Sequence, residues 1–291
     1  MNSNGRYSGT ARYLSAHWPT YALAYGTAIA ALLLMALGIE TRWLSLLPLG
    51  LLLFLLPLAF IITSLRAAHR LYDPDGIVPH QLLFEMGQLN GRSHFGLIDV
   101  GLRHQAVDLA DLLTSGHISV MDIYNPQLIS SGSVARSQRQ HPTHDPRLTW
   151  LESSLSLLPL PNSSVPVVIA CEILSHLDQE GDRLVLLREI NRVLTPNGRL
   201  LIAERSRTQA NWLALGTAAA NLHPASYWRH LLTNAGFHIR REQEPDGLIL
   251  CLRADKPPAT TGQQLRLNLQ LDDAKGKEAE GNRGRGGFFS A

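Results

Sequence analysis

The chain has 291 residues, 45% of them hydrophobic, with 26 Lys and Arg against 24 Asp and Glu for a formal net charge of +2. That length admits one or two domains, and no basic run is long enough to make a nucleic-acid track, which excludes a charge-driven DNA or RNA partner. The two cysteines, Cys171 and Cys251, sit in apolar strand-like runs and read as small buried hydrophobes, not as a disulfide or metal pair. The histidines are scattered without ligand spacing, so no metal site is expected.

Residues 1–16 are polar, carry Arg6 and Arg12, and are expected to be disordered or to lie at a membrane surface. Residues 21–39 and 43–65 are two runs without charge. About 20 apolar residues cross a bilayer core of roughly 30 Å, and each run meets that length. Trp18, Tyr21 and Trp43 suit interfacial anchors. Only Glu40-Thr41-Arg42 separates the runs, which predicts a transmembrane hairpin over residues 17–66. A signal peptide is the competing reading of the first run. It is weakened because the second follows at once and no small-residue cleavage site intervenes. Arg6 and Arg12 precede the hairpin and Arg66 and Arg70 follow it, so the positive-inside rule places both ends, and the domain that follows, in the cytoplasm.

Residues 67–92 read as a connector, with a turn at Asp73-Pro74-Asp75-Gly76 and a short helical pattern over 79–87. Residues 94–100 form a first strand ending in Asp99-Val100-Gly101, followed by a helix over 105–113. A second strand, 117–123, ends near Asp122; a weaker helix, rich in Ser and Gly, spans 125–140; a third strand spans 147–152. The run 167–171 has no polar alternation, as in a strand buried on both faces. Leu184, Leu187, Ile190 and Leu194 then fall at three- and four-residue steps, on one helix face. Pro196 stops that helix and Asn197-Gly198 supplies positive φ for a reversal into a strand over 198–203. Strand, helix, turn and strand make a βαβ unit with parallel strands. Helices over 211–221 and 225–235, a glycine stop at Gly236, and strands over 237–242 and 247–254 complete the domain. From Asp255 the composition shifts to Pro, Gln, Gly, Lys and Glu; residues 255–291 read as a disordered tail with one short alternating segment at 265–271.

The stretch 186–204, LLREINRVLTPNGRLLIAE, resembles the region between the fourth and fifth strands of class I S-adenosylmethionine-dependent methyltransferases. It is most similar to the group that includes the quinone-biosynthesis enzymes. Glu189, Arg192, Val193-Leu194 and Pro196-Asn197-Gly198 carry the resemblance, which extends over about residues 92–254. It implies an α/β fold: a Rossmann-like seven-stranded methyltransferase sheet with flanking helices over residues 93–254, preceded here by the transmembrane hairpin. The implied cofactor is S-adenosylmethionine, bordered by Asp99 and Gly101 at the first strand end. Asp122 would meet the ribose diol, for which two carboxylate oxygens are suited. Ser154 falls where family members contact the adenine, and Pro166 replaces an Asp usual at the fourth strand, so the resemblance leaves the ring amino group to Ser154, Glu152 or backbone. Glu172, Ser175 and His176 follow that strand, where the family lines its cleft; His176 is either a base or a structural helix-opening residue.

The sequence departs from the family pattern after Gly101: Arg103 and Gln105 stand where second and third glycines are usual. The Arg103 side chain either fills the methionine space or binds the cofactor carboxylate. The leading expectation is a membrane-anchored S-adenosylmethionine-dependent methyltransferase, with the lipid bilayer as a partner and a small-molecule or lipid-like acceptor that the sequence does not identify. The alternative is a methyltransferase-like binding or scaffolding protein without catalysis. A nucleotide-dependent oxidoreductase is disfavoured because no complete GxGxxG follows the first strand.

Overall fold

The computed structural model describes residue 5 and residues 7–125, 127 and 145–258. The helix expected over 125–140 and the strand at 265–271 lie outside those residues. Within the segment expected to be disordered or to lie at a membrane surface, Ser8–Ala16 form helix α1 and are not disordered. It is held by a distant partner: Asp73, fully buried, accepts from Thr10 N at 2.8 Å and Thr10 Oγ1 at 2.6 Å. Gly9 makes the close approach possible, since a Cβ there would stand 2.0 Å from the Tyr72 carbonyl oxygen.

Helices α2, Trp18–Glu40, and α3, Leu46–Tyr72, form the apolar pair. Their 23 and 27 residues both suffice to cross a membrane. Most of their large side chains are exposed, Leu33 to 66% and Leu56 to 58%. The two helices pack along each other, Gly50 lying against Met35 and Ala31, with Tyr21 Oη and Ser64 Oγ 2.8 Å apart. α3 runs seven residues past the expected limit at 65, because Ala67, Ala68 and Leu71 are buried under the next helix and the sheet.

Next come α4, Pro79–Met86; β1, His94–Asp99; α5, His104–Ala110; β2, His117–Asp122; β3, Leu148–Glu152; and β4, Val165–Cys171. The chain continues through α6, Glu180–Val193; β5, Leu194–Glu204; α7, Gln209–Leu215; α8, Ala225–Asn234; β6, His238–Gln243; and β7, Leu250–Asp255. The seven strands lie in the order β3-β2-β1-β4-β5-β7-β6, parallel except that β7 is antiparallel to β5 and β6. α6 and α8 cover one face, with Leu187, Ile190 and Trp228 buried. α4, α5, α7 and the end of α3 cover the other, around Leu71, Leu83 and Leu109. Strands β1 and β4 are therefore buried on both faces, which is why they read as unbroken apolar runs.

The α6 face is rotated from the expected one: Leu184 is half-buried and Arg183 is buried instead. The Arg183 guanidinium donates to Leu174 O and Leu177 O, which satisfies its buried charge. Asn197 takes φ 62° at the reversal, as expected. Pro166 sits where the β4–β5 register shifts between Val165 and Val167, a place for a residue without an N–H.

Candidate functional site

The strand order reverses between β1 and β4, and in open α/β sheets that crevice at the carboxyl ends of the strands takes the ligand. Asp99 closes β1, 1% exposed. Its carboxylate accepts from Gly101 N at 2.9 Å and Arg103 N at 3.3 Å, so it builds the loop after β1. Burial, and then the neighbouring Asp122 charge, push its pKa up to about 6. Gly101 holds φ 82°, a conformation that favours glycine. Asp122 is in register with Asp99 on β2 and accepts from Tyr124 N at 3.0 Å. Ser154 lies two residues beyond β3, exposed, its Oγ 3.4 Å from Ser156 Oγ. The structure thus brings Asp99, Gly101 and Asp122 together on two adjacent strand ends. It places Ser154 beyond the next strand and His176 on the other side of β1.

Arg103 also takes positive φ, 60°, just before α5, and its guanidinium lies 5.7 Å from the centre of the Trp150 ring on β3. Gln105 is 4% exposed; its Nε2 donates to Cys171 O at 3.4 Å, and its Oε1 has no partner among the described residues. A buried acceptor left open is costly unless a ligand donor meets it.

On the β4 side, a cavity of about 330 Å³ is lined by Leu102, His104 and Gln105 after β1 and by Glu172, Ser175 and His176 after β4. Its remaining walls come from outside the sheet. Arg12, Tyr13 and His17 reach it from α1 and the residue that follows, Tyr72 from the end of α3, and Leu215 from α7. Glu172 takes φ 56°, an uncommon conformation of the sort found at sites the surrounding structure over-determines. Tyr72 Oη donates to both Glu172 carboxylate oxygens, at 2.8 and 3.0 Å. Arg205 donates to Glu172 Oε1 at 3.3 Å and to Tyr72 Oη at 3.0 Å. It lies 5.7 and 5.8 Å from the ring centres of Tyr13 and Tyr72, in cation–π range.

The turn Leu174–His176 is set from below by Glu204, whose carboxylate accepts from Leu174 N at 2.7 Å and Ser175 N at 3.3 Å. Burial pushes the Glu204 carboxyl up to about 7 and holds the His176 imidazole below its ordinary range. Sequence reasoning found Glu172, Ser175 and His176 but missed Tyr13, Tyr72 and Arg205. The first two lie in stretches read as polar leader and connector. The third directly follows β5 and had no signal beyond its charge.

Residues 99–202, about a third of the chain, match the family model described as "Methyltransferase domain". An anamorsin homolog of Populus trichocarpa is 39% identical over 89 residues, 29% of this chain and 31% of its own, so the chain spans about a third of that relative's length. A SAM dependent methyltransferase from Aquifex aeolicus superposes with a TM-score of 0.48 at 17% identity, over 61% of this chain and 89% of its own. Human N-acetylserotonin methyltransferase, solved in complex with SAM, gives 0.48 at 16% identity over 69% and 55%. The match begins at the acid that ends β1 and closes inside β5, the same parallel half of the sheet whose order was read from the strands, and over that half the chain is similar to a methyltransferase domain.

Proposed function

We propose that the protein is a membrane-anchored S-adenosylmethionine-dependent methyltransferase whose acceptor is a lipophilic, membrane-associated molecule. The observation that carries the reading is the composite wall of the cavity. The methyltransferase domain supplies its floor, and the end of the apolar helix α3 and the preceding α1 supply its cover. Bilayer anchoring raises the local concentration of a membrane-dissolved acceptor at that opening. The arginines flanking the hairpin support a cytoplasmic domain.

The residues present fit the cofactor. Asp99 shapes the loop and Gly101 keeps its backbone open to close approach. Asp122 offers two carboxylate oxygens to a ribose diol, and Ser154 borders the adenine end. The open Oε1 of Gln105 would be available to accept an N–H of the cofactor's amino group. When bound, the cofactor supplies an electrophilic methyl on a sulfonium. His176, held neutral by burial, takes the proton released by the acceptor. Tyr72 and Arg205 fix the Glu172 carboxylate beside it, so the acceptor meets a preset polar wall.

A second reading, a methyltransferase-like binding module without catalysis, draws on Arg103, a cation held in the loop where the family keeps glycine. Calorimetric titration of the full chain in nanodiscs with S-adenosylmethionine tests the first reading. Saturable binding is expected, lost by at least tenfold on Asp122→Ala. No binding at millimolar cofactor overturns it in favour of the second.

A further inference from the structure

Helix α7 has an unusual surface for an element of a water-facing domain. Residues 208–222, TQANWLALGTAAANL, contain no Asp, Glu, Lys or Arg. Trp212 is 45% exposed and Leu213 66%. The stretch does not stand alone: it packs on the apolar helix α3. Thr63 Oγ1 lies 2.6 Å from Leu213 O, one of the carbonyls that the last turn of a helix leaves without an intrahelical partner. A few residues on, the Phe60 ring sits against Gly216, where an added Cβ would be 3.6 Å from it.

The depth of that contact follows from helix geometry. α3 has 27 residues, about 40 Å at about 1.5 Å per residue, against a hydrocarbon core of roughly 30 Å. Counted from Leu46, the core ends next to Arg66, the first charged side chain of the helix. Thr63 and Phe60 are inside that limit, a little under one and a little under two turns from Arg66. The end of α7 is therefore held level with the hydrocarbon boundary, its uncharged surface continuous with that of α3.

We propose that α7 and the turn Gly216–Asn221 form a third membrane-contacting element, lying in the bilayer interface with Trp212 and Leu213 against lipid. A Trp whose ring is apolar and whose N–H is polar suits that level. The occupant of this face is the lipid bilayer itself. The other side of the same stretch, Leu215, Ala218 and Leu222, lines the cavity. One helix thus separates lipid from the acceptor site, and the class of molecule the site receives is one dissolved in the bilayer that enters past α7. This inference rests on the hairpin being inserted, as proposed above.

The test is depth-resolved spin labelling of the full chain in nanodiscs of phosphatidylcholine and phosphatidylglycerol. A label is placed at Leu213→Cys, at Leu33→Cys in α2, and at Leu157→Cys in the loop before β4. Cys171 and Cys251 are 1% and 0% exposed and do not compete for reagent. The Leu213 label is expected to collide with oxygen severalfold more often than the Leu157 label and to be correspondingly shielded from a water-soluble nickel chelate. Trp212→Cys repeats the measurement should circular dichroism show the first variant misfolded. A Leu213 label as wet as Leu157, beside a lipid-like Leu33 label, overturns the proposal and leaves the hairpin reading standing. A wet Leu33 label overturns both.

Discussion

Gly101 and Arg103 lie two residues apart in one loop, and both hold positive φ, 82° and 60°. For an L-residue that region costs about 1–2 kcal/mol, which glycine avoids. The two positions therefore respond in opposite senses. Gly101→Ala is expected to destabilise the domain by about 1–2 kcal/mol in denaturant unfolding and to weaken cofactor binding. Arg103→Gly relieves strain of the same size but gives up the contact with Trp150, about 0.5–1 kcal/mol at a partly exposed site. Its stability should stay within about 1 kcal/mol of the parent. Its affinity for S-adenosylmethionine, read by calorimetry, is expected to rise; a fall would show that Arg103 holds the cofactor carboxylate. The acid and glycine of this loop were legible in the sequence because they stand at the end of an apolar run. The strain at Arg103 was not, since φ is set by the Asp99 carboxylate gathering the loop's N–H groups.

Among the elements, the strands were legible and α1 was not, for a physical reason. β1, β4 and β5 are buried on both faces, so their composition alone marks them. α1 is nine residues of mixed character, too short to be stable in isolation, and its anchor lies 63 positions away in Asp73. Asp73→Ala removes the acceptor for the Thr10 N–H and hydroxyl. A lost hydrogen bond to a charged group is worth about 1.5–3 kcal/mol, so amide exchange across Ser8–Ala16 is expected to quicken by about 10- to 100-fold. Hydrogen exchange read by mass spectrometry checks this, and unchanged protection would show that Gly9 and Tyr13 hold the helix without Asp73. Because Tyr13 and Arg12 line the cavity, the same substitution exposes it.

For the whole molecule, buried ionisable groups make stability depend on pH in two opposed ways. Glu204 and Asp99 are pushed up to about 7 and about 6, against unfolded carboxylates near 4. The folded state keeps protons that the unfolded state releases, so this contribution is lost as pH rises through 7. His80 and His104 are driven down by burial to about 3 and about 4, from an unfolded value near 6.5. There the unfolded state takes up protons, and stability is lost as pH falls below 6.5. The two sets oppose each other over the same window, so the parent's stability is expected to change little from pH 5 to 8, whereas Glu204→Gln, which removes the larger carboxyl contribution, is expected to gain stability over that interval; thermal unfolding at pH 5 and 8 measures it. A variant that follows the parent at both pH values would show that Glu204 does not keep its proton in the folded state.

The seat of Gly9 on the Tyr72 backbone also orders the making of the protein. α1 leaves the ribosome before either apolar helix, yet its landing site, Asp73 with Tyr72, is synthesised only after both. Arg12 meets its ion-pair partner Asp108 later still. With the hairpin inserted as proposed, the leading segment must wait, unpaired, while the two helices are threaded into lipid, and dock only when the second returns the chain to the side it started from. That return requires an even number of crossings between α1 and the domain. On that proposal, a variant that lost one of the two apolar helices would strand the cover of the cavity across the bilayer from its floor, however well each half folded.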